Sequence, residues 1–475
     1  MTLPIQISEW DTIGRGVGQW QRPDGKQVLV AVPGTIVGEE VEIASCVKNK
    51  KPPPRFIGCG VSVEHPSPYR VAPRCPHVGE CGGCVWQHMA YEHQLQVKQD
   101  RVAALFSPLC ASPSILRPII GCEEPWHYRN KMEFSFSQDL EGRYFLGLFC
   151  CQRKRCVLDL KVCCLTEDWM VTALQSIKTW WKASGLLAYR PSANTGSLIC
   201  VTMRESATLK DRMIILTVSG NPDFALKQHH LDEFVALLKQ VATPSSGSLS
   251  LVLRIRQIAA KMPTQIYEMM LFGPDHVREI LEVETKIGMK RRLELHISPQ
   301  AFFQPNTHQA MKIYSQALLM ADLHPDDVVF DLYCGIGVFG MFASLETRSA
   351  VGVELSKDSA YDAKTNAARL CCSNFTVQCG DTASVVASMK GEGPFERPST
   401  VIVDPPRAGL MPSAVNEIVS LDPKTIVYVS CNPETQVHDA AELIKHGWHI
   451  ASVQPVDQFP HTVHLENILL LKKGF

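Results

Sequence analysis

The chain has almost no net charge: 47 lysines and arginines stand against 48 aspartates and glutamates in 475 residues, a formal charge of -1. No global field draws it to nucleic acid, so any basic surface must be local. It has no run of about 18 or more apolar residues, which excludes a helix built to span a membrane. It has no internal repeat and no low-complexity segment, which excludes solenoid and tail-like organisations. Its opening, MTLPIQISEWD, lacks a basic region followed by a long apolar core, so no signal peptide and a cytoplasmic location are expected.

Cysteine is not lacking. There are 18, and in a chain of this length they point to reduced thiols, a metal site or catalysis rather than a disulfide framework. With 45% hydrophobic and 20% charged residues the chain can bury two to four cores. Three thiols crowd into Cys75-Pro76-His77-Val78-Gly79-Glu80-Cys81-Gly82-Gly83-Cys84, with five and then two intervening residues. A Gly/Pro-rich loop of this kind can wrap one soft metal centre. A fourth ligand must come from further on, from Cys150, Cys151, Cys156, Cys163 or Cys164, with His77 and His88 as outsiders. Four thiolates suit zinc or an iron–sulfur cluster, and spacing does not choose between them.

Residues 1–72 read as a small β-barrel, because short apolar runs such as 27–32 and 41–43 alternate with turn signals at Gly14, Gly16, Gly18, Asp24-Gly25, Pro33-Gly34 and Gly38. Lys48, Lys50, Lys51 and Arg55 cluster around Pro52–Pro54. Helical spacing over 93–108 stops at Pro108, and Trp126–Lys131 sets two basic residues among aromatics before a strand-like MEFSF. From about 130 to 295 elements alternate without catalytic signature. Val252–Arg256 and the basic stretch Lys286–Arg292 are the segments there that could meet a phosphate backbone.

From about 296 the rhythm is that of a doubly wound α/β sheet. Gln304 lies in Ala301–Thr307, ahead of a helix over about 308–322. A strand at 328–333 carries Asp331 and Tyr333 into Cys334-Gly335-Ile336-Gly337-Val338-Phe339-Gly340, where glycines permit close approach of a ligand. This matches the dinucleotide fingerprint, but its depth in the chain and the acid at the strand end favour S-adenosylmethionine over a nicotinamide. Glu354 ends the next strand and can accept both hydroxyls of a ribose. Asp381 follows another strand and suits an adenine amino group. Asp404-Pro405-Pro406-Arg407 forms an acid with a rigid apolar step for a flat base. An apolar strand at 425–429 delivers Ser430, Cys431, Asn432 and Pro433 at the end that faces the crevice, while Glu466 follows His461 and His464 before the apolar run 468–471.

The ordered motifs FFQPN, DLYCGIG, VIVDPPRAGL, YVSCNPET and FPHTVHLE resemble those of the bacterial 23S ribosomal RNA (uracil-5-)-methyltransferases. The loop CPHVGECGGCVWQHMAYEHQLQVKQ is similar to the family's cluster loop, and the front barrel to its TRAM domain. The resemblance implies a multidomain chain: a TRAM-like, OB-like RNA-binding β-barrel at 1–72, a central α+β domain with the iron–sulfur loop at 73–95 and 127–295, and a Rossmann-like α/β methyltransferase domain at 296–475 joined by 96–126. It implies Cys431 as nucleophile and Glu466 as base, with Gln304, Asp331, Tyr333, Gly335, Gly337, Glu354, Asp381 and Asp404 around S-adenosylmethionine. It implies a [4Fe-4S] cluster on Cys75, Cys81, Cys84 and Cys163, with Cys164 and Cys156 left open for the fourth place. The expected partner is 23S ribosomal RNA, with no membrane and a monomeric chain. Val338 and His438 depart from the family's usual polar residue and arginine. Three readings compete: the same chemistry on the T-loop uridine of transfer RNA, an RNA-binding protein without catalysis, and a radical enzyme, whose cysteine spacing differs.

Overall fold

Glycine-rich turns at the front of the chain close five short strands on themselves. In the computed structural model, which describes residues 3–22, 25–48, 56–151, 155–258, 264–391 and 396–474, these are β1 (Leu3–Trp10), β2 (Gly16–Gln21), β3 (Gln27–Val32), β4 (Glu40–Lys48) and β5 (Phe56–His65). They form a closed barrel in the order β1-β2-β3-β5-β4, filled by Ile5, Ile7, Val30, Val32, Val41 and Ile43. Gly18 is required by packing, since a Cβ there would lie 2.3 Å from the carbonyl oxygen of Gln6. Asp24, Lys50, Lys51, Pro52–Pro54 and Arg55, singled out in the sequence, lie outside the described residues.

Helix α1 (Tyr91–Phe106) follows the cysteine loop and ends just before Pro108. It buries Val102 and Phe106 against the last sheet of the molecule. Beyond it, Leu116 and Ile120 run parallel to Val453 and Val456 and cover that sheet's outer edge.

The middle of the chain forms a six-stranded sheet from β6 (Lys131–Gln138), β7 (Tyr144–Gly147), β8 (Leu198–Glu205), β9 (Arg212–Ser219), β10 (Leu249–Gln257) and β11 (Gln265–Phe272), in the order β11-β10-β9-β8-β6-β7. Helices α2 (Asp168–Ser184) and α3 (Gln228–Val241) pack Trp181 and Phe234 into its core. The hairpin β12 (Val277–Lys286) and β13 (Met289–Ile297) belongs elsewhere. Its alternating apolar face, with Leu281, Val283, Leu293 and Leu295, joins the core of the C-terminal sheet. Packing therefore carries the hairpin across the 295/296 division drawn from the sequence, because a two-stranded ribbon cannot bury its apolar face alone.

The C-terminal part alternates α4 (Thr307–Ala321), β14 (Val328–Leu332), α5 (Val338–Ser344), β15 (Ser349–Glu354), α6 (Lys357–Arg369), β16 (Phe375–Cys379), α7 (Thr382–Gly391), β17 (Thr400–Val403), α8 (Pro412–Leu421), β18 (Thr425–Ser430), α9 (Pro433–Lys445), β19 (Trp448–Val456) and β20 (Glu466–Lys473). The sheet order is β16-β15-β14-β17-β18-β20-β19. The first five strands are parallel, and β20 inserts antiparallel between β18 and β19. Strand order reverses between β14 and β17, which opens the ligand crevice at their carboxyl ends. Among the described residues no helix is long and apolar enough to cross a membrane.

Candidate active site and cysteine cavity

Strand β18 is buried at every position and hands its next residue, Cys431, to the crevice. The turn is fixed on both sides. Ser430 Oγ accepts from Asn432 N (3.1 Å), Asn432 Oδ1 accepts from Glu434 N (3.3 Å), and Pro433 opens α9. In the antiparallel register Ser430 faces Asn467, so Cys431 comes level with Glu466. On the other side of β18, β17 ends at Val403 and hands on Asp404. A thiol and two carboxyls thus converge at the ends of three adjacent strands.

Their titration reflects that crowding. The Cys431 thiol is pushed up to about 11, first by burial and then by Glu466 and Asp404, with Arg407 opposing. Burial and Asp404 hold Glu466 well above the usual carboxylate range, and burial lifts Asp404 to about 7. Asp331 also rises to about 7, chiefly by burial, although Gly340 N donates to its Oδ2 at 2.8 Å. Glu466 Oε2 and Asp331 Oδ1 are buried and unpartnered. Buried polar atoms normally find a partner, so each leaves one hydrogen-bonding position unfilled at these strand ends.

Of the other residues expected at the methyl donor, Tyr333, Gly335 and Gly337 follow β14, Glu354 ends β15 and Asp381 follows β16. Glu354 accepts from Gly335 N (2.9 Å) and Ser356 N (2.7 Å), one bond to each oxygen, which leaves each a lone pair for a hydroxyl. Gly335 has φ +54° and a Cβ there would meet nothing within 4 Å, whereas a Cβ on Gly340 would lie 2.2 Å from the Phe375 ring. The first glycine leaves room for a ligand and the last lets helix pack on sheet. Gly337 (φ +83°) and Tyr333 (φ +65°) hold the turn between them. Gln304 Oε1 accepts from Gln458 Nε2 at 3.2 Å, and its carbonyl accepts from Asn130 of the middle region at 2.8 Å. Asp381 accepts from the amide and hydroxyl of Ser384, both at 3.0 Å, and so also caps the following turn.

Two participants escaped sequence reasoning. Tyr314 of α4 is buried beside Asp404, Glu466 and Asp331, which together with burial raise its phenol far above the ordinary value. Nothing in the helical spacing distinguishes it from a core tyrosine. Arg407 donates to His464 Nδ1 at 2.7 Å, and burial followed by Arg407 lowers His464 to about 4, so the ring is a neutral acceptor. A cation directly after the acid-Pro-Pro run was the available signal.

The loop that leads to Glu466 is anchored from the far end of the chain. Lys98 Nζ donates to Asp457 Oδ1 (2.6 Å) and to the Phe459 carbonyl (3.1 Å), and both members of the ion pair have no exposed side-chain surface. Tyr91 donates to Asp457 Oδ2 at 2.8 Å. The His461 carbonyl accepts from Val85 N and Trp86 N at 3.0 and 3.1 Å, which ties this loop to the cysteine loop.

Asp331 yields a stability prediction. Its folded value of about 7 exceeds the ordinary 3.8, so burying it costs nothing below about pH 4, costs more as pH rises, and costs most above 7. Asp331→Asn is expected to raise the melting temperature of the ligand-free chain by about 3 °C at pH 8, with the gain gone near pH 4. Scanning fluorimetry across pH reads this directly, and a gain independent of pH would contradict it.

Cys75, Cys81, Cys84 and Cys163 line one cavity of about 120 Å³, with Cys164 also on its wall. Burial pushes Cys84 up to about 12 and Cys81 up to about 11, and Cys163 adds to both. Cys150, Cys151 and Cys156 are not on this wall. His77 lines it, but its Nε2 already accepts from Lys161 N at 3.1 Å, and His88 faces Thr35 of the barrel. Among the described residues no three His, Cys, Asp or Glu side chains converge closely enough to grip a single ion.

Comparison with known proteins adds to this geometry. A family model described as tRNA (uracil-5-)-methyltransferase matches residues 246–474. An uncharacterized RNA methyltransferase of Protochlamydia amoebophila is 43% identical over 442 residues, covering 93% of this chain and 99% of that protein. Another from Staphylococcus epidermidis is 30% identical over 445 residues, 93% of this chain and 92% of its own length. The crystal structure of Pyrococcus abyssi tRNA (uracil-54, C5)-methyltransferase in complex with S-adenosyl-L-homocysteine superposes with a TM-score of 0.71 at 20% identity, over 98% of this chain and 100% of that one. That last likeness is one of fold.

Proposed function

Because the chain belongs to the S-adenosylmethionine-dependent RNA (uracil-5-)-methyltransferase family, we propose that it methylates carbon-5 of one uridine in 23S ribosomal RNA through a covalent bond between Cys431 and the base. The observation that carries this reading is the meeting of Cys431, Glu466 and Asp404 at neighbouring strand ends, with Glu466 Oε2 left without a partner.

Carbon-5 of uracil is a poor nucleophile. Addition of the Cys431 sulfur to carbon-6 moves the ring electrons onto carbon-5 and the carbon-4 oxygen, and carbon-5 can then take a methyl group. S-adenosylmethionine supplies that methyl and, as a sulfonium, a positive charge that draws nearby acids toward their ionised forms. Glu466 next removes the hydrogen from carbon-5, the ring double bond reforms, and the carbon–sulfur bond breaks to return the thiol. Gln304, Asp331, Tyr333, Gly335, Gly337, Glu354, Asp381 and Asp404 are assigned to the methyl donor, with the hydroxyls of its ribose on Glu354. The base must leave its stack to reach Cys431, so a flipped or unpaired uridine is the substrate.

The resemblance of the cysteine loop to the family's cluster loop favours an iron–sulfur cluster over zinc here, since four thiolates alone suit either. Cys75, Cys81, Cys84 and Cys163 would hold the cluster, which would brace the loop tied to His461. Anaerobically purified protein is expected to carry about four irons per chain and Cys81→Ala to carry none; stoichiometric zinc instead would overturn the assignment.

The ribosomal substrate rests on the cysteine loop and barrel. The alternative, transfer RNA, draws on the descriptions of the matched family and of the archaeal enzyme. Mass spectrometry of nuclease fragments from a strain lacking the gene separates them. Loss of 5-methyluridine at one ribosomal site, restored by the intact gene, is the expected result. Loss from transfer RNA alone would transfer the substrate, and no change would leave a binding protein.

A further inference from the structure

Three of the cysteines weighed as a fourth ligand, Cys150, Cys151 and Cys156, stand outside the cavity wall, and two of them face each other. Phe149 and Val157 pair antiparallel, and inside that pair Cys150 N donates to the Cys156 carbonyl at 2.8 Å. The two side chains meet across the turn, with Cys150 Sγ 2.9 Å from Cys156 Sγ. Both are partly accessible to solvent. The neighbouring Cys151 points away and donates its thiol to the Gly79 carbonyl at 3.0 Å.

This turn braces the cysteine loop. Gly82 N donates to the Phe149 carbonyl at 3.0 Å, Cys151 N donates to the Glu80 carbonyl at 2.8 Å, and Cys81 pairs with Cys150 as an isolated antiparallel bridge. In the sequence, Arg153, Lys154 and Arg155 lie between the two thiols.

We propose that Cys150 and Cys156 form a thiol–disulfide exchange site that reacts with low-molecular-weight disulfides such as glutathione disulfide, locking the turn that braces the cysteine loop. An S–S bond is about 2.05 Å long, so the sulfurs need to approach by less than an ångström. One protein thiolate attacks the small disulfide, whose S–S bond breaks and releases one thiolate. The second protein thiolate attacks the mixed disulfide and releases the other. The two protein thiols lose two electrons and two protons, and the glutathione disulfide gains them as two thiols.

Trypsin makes the test clean, because it cuts after Arg153, Lys154 and Arg155 and leaves the two cysteines on peptides joined only by a disulfide. The full-length protein is equilibrated with glutathione and glutathione disulfide in set ratios, quenched with acid, alkylated, digested and measured by mass spectrometry. The linked pair is expected to increase as the share of disulfide rises and to vanish with dithiothreitol. Cys151→Ser is expected to keep the link, while Cys150→Ser and Cys156→Ser each reduce it by at least about tenfold. Free alkylated thiols at every ratio, or a link that survives Cys150→Ser and disappears with Cys151→Ser, would overturn the proposal.

Discussion

Cys431→Ala is expected to lower methyl transfer into RNA by at least about ten-thousand-fold, the scale of loss when a covalent nucleophile is removed. Donor affinity should hardly change, because the donor-binding residues stand on other strand ends. Transfer of labelled methyl groups and calorimetry with S-adenosyl-L-homocysteine measure the two quantities. The acid pair facing the thiol adds a pH signature. With the free thiol pushed up to about 11, the thiolate fraction grows tenfold for each pH unit below that value. For the wild type, kcat/KM should therefore climb steadily from pH 7 to 9. An alanine variant that retains activity would remove Cys431 from the chemistry, and a flat wild-type profile would mean that another step limits.

Glu466→Gln is expected to separate two halves of the reaction. Glutamine keeps the shape of the buried side chain but cannot accept the carbon-5 hydrogen as a base. The variant should add Cys431 to the uracil and methylate it, then fail to let go. Turnover should fall by about a hundred- to ten-thousand-fold, the usual worth of a positioned proton acceptor. An RNA–protein adduct should persist through a denaturing gel and disappear when Cys431→Ala is added. Free methylated RNA released at the wild-type rate would assign proton removal to another group, and Tyr314 or Asp404 would be the nearest candidates.

The crevice was legible because its residues stand at the ends of short apolar runs. In a parallel sheet covered on both faces such runs are continuous, and 425–429 and 400–403 could be read as strands that aim the next residue at a ligand. The Gly335–Gly340 turn was legible for the same reason, though its last glycine serves the Phe375 ring rather than a ligand. What could not be read depends on partners far apart in the chain. Tyr314 reaches the acids only because α4 lies across the sheet. The β12–β13 hairpin alternates like any half-buried ribbon, and nothing local names the core it covers. Lys98 reads as a solvated residue on a surface helix, yet it is enclosed because Asp457 meets it from 359 residues away.

That ion pair has a consequence for how the enzyme comes into being. The ribosome delivers Asp457 359 residues after Lys98. At about 5–20 residues per second the interval between them is roughly 20–70 seconds. Throughout it Lys98 lacks Asp457, and β20, the strand that carries Glu466 and lies between β18 and β19, has not been made. Cys431 itself emerges shortly before Glu466. The loop that presents Glu466 beside Cys431 is thus anchored only after both members of the pair have been made.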